Sequence, residues 1–287
     1  VTCVPHGFVF GIPVTHADDL RWPYRWHGVG EDARPRLQGF SLSHIPSPWI
    51  ADRGVFTVMP SLTAEGAPET DPQRRSLGFD RDTEVDRPHR YAVDLDGDLA
   101  VELTTTDHVV VLSVAAEAEA VTFLFEVPGG AGVLRLVGDA VEGFSDASPG
   151  RADVTEPRAF LHAEADGPVL DSGTAERDRV WIRVGTVDGV ATVRLAQSFL
   201  GTAQAAHSLD LEARGPVAEI VAASDHEKQN IDRIDFWFNV SGDHIAKWSS
   251  EALFRGDETL IVHVHPAALE AGYRIVGVTL DHGYRGH

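Results

Sequence analysis

"YAVDLDGDLAVELTTT", residues Tyr91–Thr106, decides the fold. Apolar residues alternate along both arms, at Tyr91, Val93 and Leu95 and again at Leu99, Val101 and Leu103. A period of two collects one set of side chains on one face of a strand. Asp96-Gly97 between the arms is a hairpin-turn signal. The segments that follow read in the same way: "HVVVLSVAA", "AVTFLFEVP", "GVLRLVGDAVEGF", "RAFLHAEAD", "RVWIRVG" and "VATVRLAQSFL". Turn pairs such as Gly129-Gly130 and Asp188-Gly189 separate several of them. Many short strands with regular punctuation and little helix predict a mainly β chain built as an antiparallel β-sandwich.

Outward from this block the pattern loosens. Residues 1–60 are rich in Pro, Gly, His and Trp, with short apolar runs such as "GFVFGIPV" and "VFTVMP" that read as strands between elaborate loops. Residues 61–90 are polar, with Pro68, Pro72 and Pro88, and read as a surface excursion. After Thr202 the spacing becomes helical. "TAQAAHSLDLEA" is one such stretch; "PVAEIVAASDHEKQNIDRI" is another, with Val217, Ile220 and Val221 and then Ile231 and Ile234. Pro216 suits a helix start. We therefore expect a sandwich domain over 1–215 and a linker helix over 216–235. Residues 236–287 stay open: "HIAKWSSEALF" could be a helix, whereas "TLIVHVHP" and "YRIVGVTL" read as strands. There is no internal repeat and no low-complexity tract.

The chain has 287 residues, 43% of them apolar, and a formal net charge of −20. That composition supports a sizeable core. The charge makes nucleic acid and anionic membrane surfaces poor partners, since both demand positive charge. Cys3 is the single cysteine, so an intrachain disulfide and a cysteine-based zinc site are excluded. No apolar run approaches a membrane span. The chain begins Val-Thr-Cys, which leads us to expect a removed leader or an excised piece.

One loop stands apart. "SHIPSPWIADRG", Ser43–Gly54, is too broken by proline for a helix and too polar for a buried strand. Trp49 can supply an apolar wall, and His44, Ser47 and Asp52 can supply hydrogen bonds, the mixture a small-molecule pocket uses. Pro46 and Pro48 stiffen the loop, and Arg53 can pair with Asp52 to hold its turn. A loop tryptophan packs against an inter-domain seam as readily as it lines a pocket, so the residues alone leave both readings open.

Other candidates are weaker. Trp22, Tyr24 and Trp26 in "RWPYRW" alternate, so on a strand they would share one face as a sugar-stacking platform, Trp22 being the better choice for exposure; core packing explains at least one of the tryptophans as well. "DLDGD" at Asp94–Asp98 lacks the spacing of a calcium loop and reads as a turn. Asp107-His108 looks like an acid–base pair, yet neighbours on a strand point to opposite faces, and Asp107 reads as structural. His263 and His265 share a face of an expected strand but lack a third ligand, and with 14 histidines in the chain coincidence explains them. Glu84, Asp86 and Glu102 read as solvated surface carboxylates. Asn239 opens a formal glycosylation sequon.

Several ordered motifs resemble one family. "LQGFSLSHIPSPWIADRGVFTVMP" is similar to the signature near the start of the glycoside hydrolase family 92 exo-α-mannosidases. "VPHGFVFGIPVTHAD", "FDRDTEVDRPHRYAVDLDGDLAVELTTTDH" and "VRLAQSFLGTAQAAHSLDLE" resemble further segments of that family in the same order, so the likeness covers roughly residues 4–234 and fades after about Phe236. The resemblance implies an N-terminal β-sandwich and linker helices, with a helical catalytic barrel that lies beyond these residues. It implies removal of terminal α-mannose with inversion, by two carboxyl groups that stand roughly 6.5–9.5 Å apart to admit a water. It implies a calcium ion on the sugar hydroxyls, a hard cation with oxygen ligands, held mostly by the barrel and not expected in this chain alone. No catalytic or metal-binding residue is therefore assigned here. Trp49, His44, Ser47, Asp52 and Trp22 are the expected substrate-binding residues, facing α-mannosides or mannose-containing glycans. The expected protein partner is the helical catalytic domain, or another copy of the chain through an exposed face. The family also implies an extracellular or cell-surface location. A free-standing carbohydrate-binding module and a purely structural docking domain are the rival readings.

Overall fold

The computed structural model describes residues 8–18, 24, 34–43, 55–87, 89–146, 158–223, 230–240, 244–255 and 274–281, the last three stretches by the course of the backbone. The chain divides into two units, Val1–Ser224 and Asp225–His287.

The first unit is an antiparallel sandwich. Its early strands are β1 (Phe10–Val14), β2 (Arg36–Leu37), β3 (Gly39–Ser43) and β4 (Phe56–Ser61). A one-turn helix, α1 (Pro72–Arg75), precedes β5 (Leu77–Gly78), β6 (Val85–Arg87), β7 (Arg90–Leu95), β8 (Leu99–Thr105), β9 (Val109–Ala116) and β10 (Ala120–Glu126). Then come β11 (Gly132–Val137), β12 (Ala140–Ser145), β13 (Ala159–Ala165), β14 (Val169–Glu176), β15 (Arg179–Gly185) and β16 (Val190–Ser198). Helices α2 (Thr202–Glu212) and α3 (Val217–Ala223) close the unit. One sheet runs β1-β3-β4-β10-β15-β14, the other β11-β12-β13-β16-β9-β8-β7-β6, and β2 pairs with β5 separately.

The deciding hairpin forms as expected. β7 and β8 pair from Tyr91↔Leu103 to Leu95↔Leu99. Tyr91, Val93, Leu95, Leu99, Val101 and Leu103 are all buried, at no more than 5% exposure. The turn is one residue longer than a two-residue hairpin: the left-handed conformations fall on Gly97 (φ +87°) and Asp98 (φ +59°), while Asp96 pairs with Arg34 at 2.7 Å. Asp188-Gly189 does make the two-residue turn, with φ +52° and +77° and paired hydrogen bonds between Val187 and Val190. Phe40 meets Tyr91 edge-on across the two sheets, ring centroids 6.0 Å apart, inside one continuous apolar core.

Both outer faces carry their own covers. On the eight-stranded sheet, Val109, Val111 and Ala196 pack under Ala205 and Leu209 of α2, Ala213 just after α2, and Ile220 of α3. On the six-stranded sheet the outward row is polar and still buried: Ser41, Thr57, Thr122 and Glu126. Arg75, delivered by α1, holds that face down. Asp71 caps α1, its carboxylate accepting the Gln73 and Arg74 amides at 3.0 Å each. The Arg75 guanidinium donates to both Glu126 oxygens, at 2.9 and 2.5 Å, and to the Gln38 and Thr70 carbonyls, at 3.1 Å each.

One expectation for the second half is corrected, and one segment left open takes a form. The linker helix expected over 216–235 stops at Ala223, and residues Asn230–Val240 form a strand, β17. The register between β17 and the next strand, β18 (His244–Arg255), shifts between Ile231 and Arg233, with the extra residue on β18. Within β17 the apolar residues Ile234, Phe236, Phe238 and Val240 alternate as a strand requires. "HIAKWSSEALF", which could have been a helix, lies in β18. "YRIVGVTL" is a strand as expected, β19 (Arg274–Asp281), and the three form an antiparallel sheet ordered β18-β17-β19. "TLIVHVHP" lies outside the described residues.

Breaking a buried ion pair strands a charge, at a cost of about 3–5 kcal/mol, whereas a half-exposed pair contributes under about 1 kcal/mol. Arg75 and Glu126 have side chains 4% and 7% exposed, while Arg90 and Glu102 are at 37% and 32%. Glu126→Ala should therefore lower the urea-unfolding free energy by about 3–5 kcal/mol and Glu102→Ala by less than about 1 kcal/mol; equal losses would refute the assigned difference.

Candidate functional site

The five expected substrate-binding residues, Trp22, His44, Ser47, Trp49 and Asp52, lie outside the described residues, as do Arg53, Trp26, His263 and His265. The structure does describe the frame from which the 44–54 segment emerges. β3 and β4 pair through Phe40↔Val58, Ser41↔Thr57 and Leu42↔Phe56. The flanking residues Ser43 and Val55 are 0% and 3% exposed, and the Val55 amide donates to the Leu42 carbonyl at 3.0 Å. Both ends of the segment are thus anchored in the sandwich, so its base is held by a rigid scaffold.

The neighbouring turn supplies polar chemistry. Phe10 pairs with Ser43, and just before it the Phe8 and Val9 amides both donate to the Asp107 carbonyl, at 2.6 and 3.0 Å. This brings the β8–β9 turn beside the exit of the 44–54 segment. There Glu212, the last residue of α2, accepts three bonds: from the Thr106 hydroxyl at 2.6 Å, the His108 amide at 2.8 Å and the His108 ring, through Nδ1, at 2.7 Å. Phe8 stacks on the His108 ring at 5.4 Å, and Phe199 meets Phe8 edge-on at 4.9 Å. The His108 side chain remains 41% exposed, with Nε2 as its second polar position. Gln197, fully buried on β16, donates its backbone amide to the His108 carbonyl, and its side-chain amide makes no hydrogen bond among the described residues. Such orphaned amides are rare in folded chains.

The electrostatics follow from this geometry. Hydrogen bonding to Glu212 raises the His108 imidazole above its ordinary 6.5, against the opposing effect of burial. Burial would raise the Glu212 carboxyl, but bonds from His108 and Thr106 outweigh it and hold the group below 4.5. Partial desolvation, and then the Glu212 charge, raise the Asp107 carboxyl. Asp107 and His108 do not form an acid–base pair, in keeping with the sequence: His108 takes a partner far along the chain, and Asp107 contributes its backbone carbonyl. No sequence spacing pointed to Glu212, because a helix end and a hairpin turn meet only in the tertiary fold.

The remaining candidates resolve simply. Asp94–Asp98 spans the end of β7 and the β7–β8 turn, Asp96–Asp98. Glu84 is not a solvated carboxylate: Tyr24 and Tyr91 both donate to its Oε1 at 2.7 Å, and burial, followed by the nearby Glu84, raises both phenols. Glu102 pairs with Arg90. Among the described residues, no three His, Cys, Asp or Glu side chains gather to hold a metal ion, and no helix is long and apolar enough to cross a membrane.

The latch between α2 and the sheet is pH-dependent. A raised His108 gives stability that is complete below about 6.5 and is lost as pH rises through its folded value; a lowered Glu212 gives stability present above about 4.5 and lost as pH falls through its folded value. The pair is strongest in mildly acidic solution. His108→Gln should therefore reduce the urea midpoint more at pH 5.5 than at pH 8.5; the same reduction at both values would show that the bond is not charge-assisted.

Comparison with known proteins places this frame. The sequence description "Glycosyl hydrolase family 92 N-terminal domain" matches residues 1–205. No curated protein matches the chain. Among solved structures, a family GH92 inverting mannosidase from Bacteroides thetaiotaomicron VPI-5482 is similar at a TM-score of 0.65 and 22% identity, over 78% of this chain and 32% of that one. A family GH92 α-mannosidase from Bacteroides thetaiotaomicron, solved in complex with mannoimidazole, is similar at 0.59 and 19%, over 78% and 33%. A GH92 family glycosyl hydrolase, ccman5, is similar at 0.60 and 13%, over 78% and 33%. The chain spans about a third of the length of each, and at these identities the likeness establishes the fold. With the family's N-terminal domain matched over residues 1–205 of the 287 and the sandwich shared, the chain belongs to glycosyl hydrolase family 92.

Proposed function

We propose that this chain is the N-terminal part of a calcium-dependent, inverting exo-α-mannosidase, in which the sandwich lines one side of a mannose pocket completed by a helical catalytic domain. The observation that carries this reading is the family match over residues 1–205, which includes the anchored 44–54 segment. The substrates would be α-mannosides or mannose-containing glycans, met at the cell surface or outside the cell.

In this reading Trp49 covers the C–H face of the sugar, while His44, Ser47 and Asp52 bond its hydroxyls or orient the loop, and Trp22 adds a second ring. Pro46 and Pro48 reduce the entropy lost on binding. The buried Ser43 and Val55 hold the base of the loop, and the placing of substrate-facing groups matters to catalysis. Calcium fits no group of described side chains, and we assign it to the catalytic domain, where it would bind sugar hydroxyls. The acid and the base, too, are assigned to that domain. The sandwich contributes binding and exclusion of water, not proton transfer.

In the complete enzyme, Trp49→Ala should lower kcat/KM for an aryl α-mannoside by about tenfold or more, the equivalent of about 1.4 kcal/mol of lost transition-state binding, with an unchanged melting curve. Unchanged kinetics would sink the pocket role. The 287-residue chain, assayed with calcium and then with a chelator, should not turn over the same substrate; calcium-dependent turnover would show that the site is complete without the helical domain.

A further inference from the structure

A second candidate site lies on the outer face of the six-stranded sheet. Register pairs Ser41 with Thr57, Thr57 with Glu126 and Glu126 with Arg179, so these four residues form one row across β3, β4, β10 and β15. Above the row is a cavity of about 180 Å³, walled by Val14, Ala17, Pro72 and Pro128 and edged by Asp18. At about 30 Å³ for each water in the liquid, it has room for about six waters, or one hexose ring.

Three polar groups meet this cavity without a partner among the described residues. Thr57 is only 4% exposed and lines the cavity, and its hydroxyl forms no hydrogen bond among the described residues. Arg179 uses Nε on Glu126 at 3.3 Å and Nη1 on Glu176 at 2.6 Å, which leaves Nη2. The Asp18 carboxylate is exposed and forms no ion pair. Ser41 donates its hydroxyl to the Phe56 carbonyl at 3.2 Å and keeps lone pairs to accept with. Thr57 and Ser41 thus offer hydroxyl groups to a polar occupant of the cavity.

Charge narrows the class of that occupant. Arg75 and Arg179 are already matched by Glu126 and Glu176, and Asp18 adds negative charge, so an anion gains no net attraction. A small cation would find one unpaired carboxylate, at the rim, and none within. Donors and acceptors side by side, with two proline rings among the walls, suit a neutral molecule that has hydroxyls on its edge and C–H groups on its face. We propose that this cavity binds a neutral, monosaccharide-sized polyol, at a site separate from the 44–54 segment and independent of the mannoside reading above.

The test is ligand-observed NMR titration of the 287-residue chain with D-mannose, D-glucose and D-galactose, with acetate and putrescine as charged controls. At least one hexose should bind with a millimolar Kd. Thr57→Val, which keeps the shape and removes the hydroxyl, and Asp18→Asn, at an exposed position that leaves folding untouched, should each weaken that binding about fivefold. Trp49→Ala should leave it unchanged. The proposal is overturned if no hexose binds, if a charged control binds in preference, or if Trp49→Ala abolishes binding while Asp18→Asn does not. Failure of the Trp49→Ala kinetics in the complete enzyme would leave this result standing, so the two readings fail separately.

Discussion

Two sheets that face each other must present apolar side chains at alternate residues, and each then has an outer face that needs a different solution. Phe40 meeting Tyr91 across the gap is the local form of this constraint, repeated by the valines and leucines of β7, β8 and β9 against Phe123 and Phe125 of β10. The hydrophobic effect supplies the drive, at about 25 cal/mol for each Å² of apolar surface buried. The outer faces are handled in opposite ways. The eight-stranded sheet keeps an apolar strip and receives α2 and α3. The six-stranded sheet carries a polar row and is closed by the Arg75–Glu126 ion pair.

The second solution has a chemical consequence. A buried ion pair is weak as a source of stability, yet strongly opposed to the loss of either partner. It also fixes side chains in one geometry, here Glu126 between Arg75 and Arg179. A polar, rigid and partly roofed surface is what a small hydroxylated ligand needs. The apolar strip on the other sheet does different work: it seats α2, and the end of α2 delivers Glu212 to His108. The covers that complete the sandwich thus also position its two polar sites.

The hairpins were legible because their cause is local. Period-two alternation and Asp-Gly turn pairs act over a few residues, and Tyr91–Leu103 paired as the pattern required. Helix α2 was legible for the same reason. The strand β17 was not, since the three-residue interval from Ile231 to Ile234 fits a helix as well as a strand, and only its pairing with β18 and β19 decided between them. His108 drew notice beside Asp107, but its real partner stands at the far end of α2, and Glu84 looked like a surface carboxylate until two tyrosines were found on it.

By itself, the sequence determined that the chain is mainly β, that its sandwich is antiparallel, and that its ordered motifs place it in glycosyl hydrolase family 92, because strand period, turn chemistry and motif order are all written along the chain. Only the tertiary structure decided which polar residues meet. Glu212 with His108, Arg75 with Glu126, and the row from Ser41 to Arg179 join residues from separate strands, helices and turns. Such pairings depend on sheet order and register, which arise from the packing of the whole domain and not from any one segment.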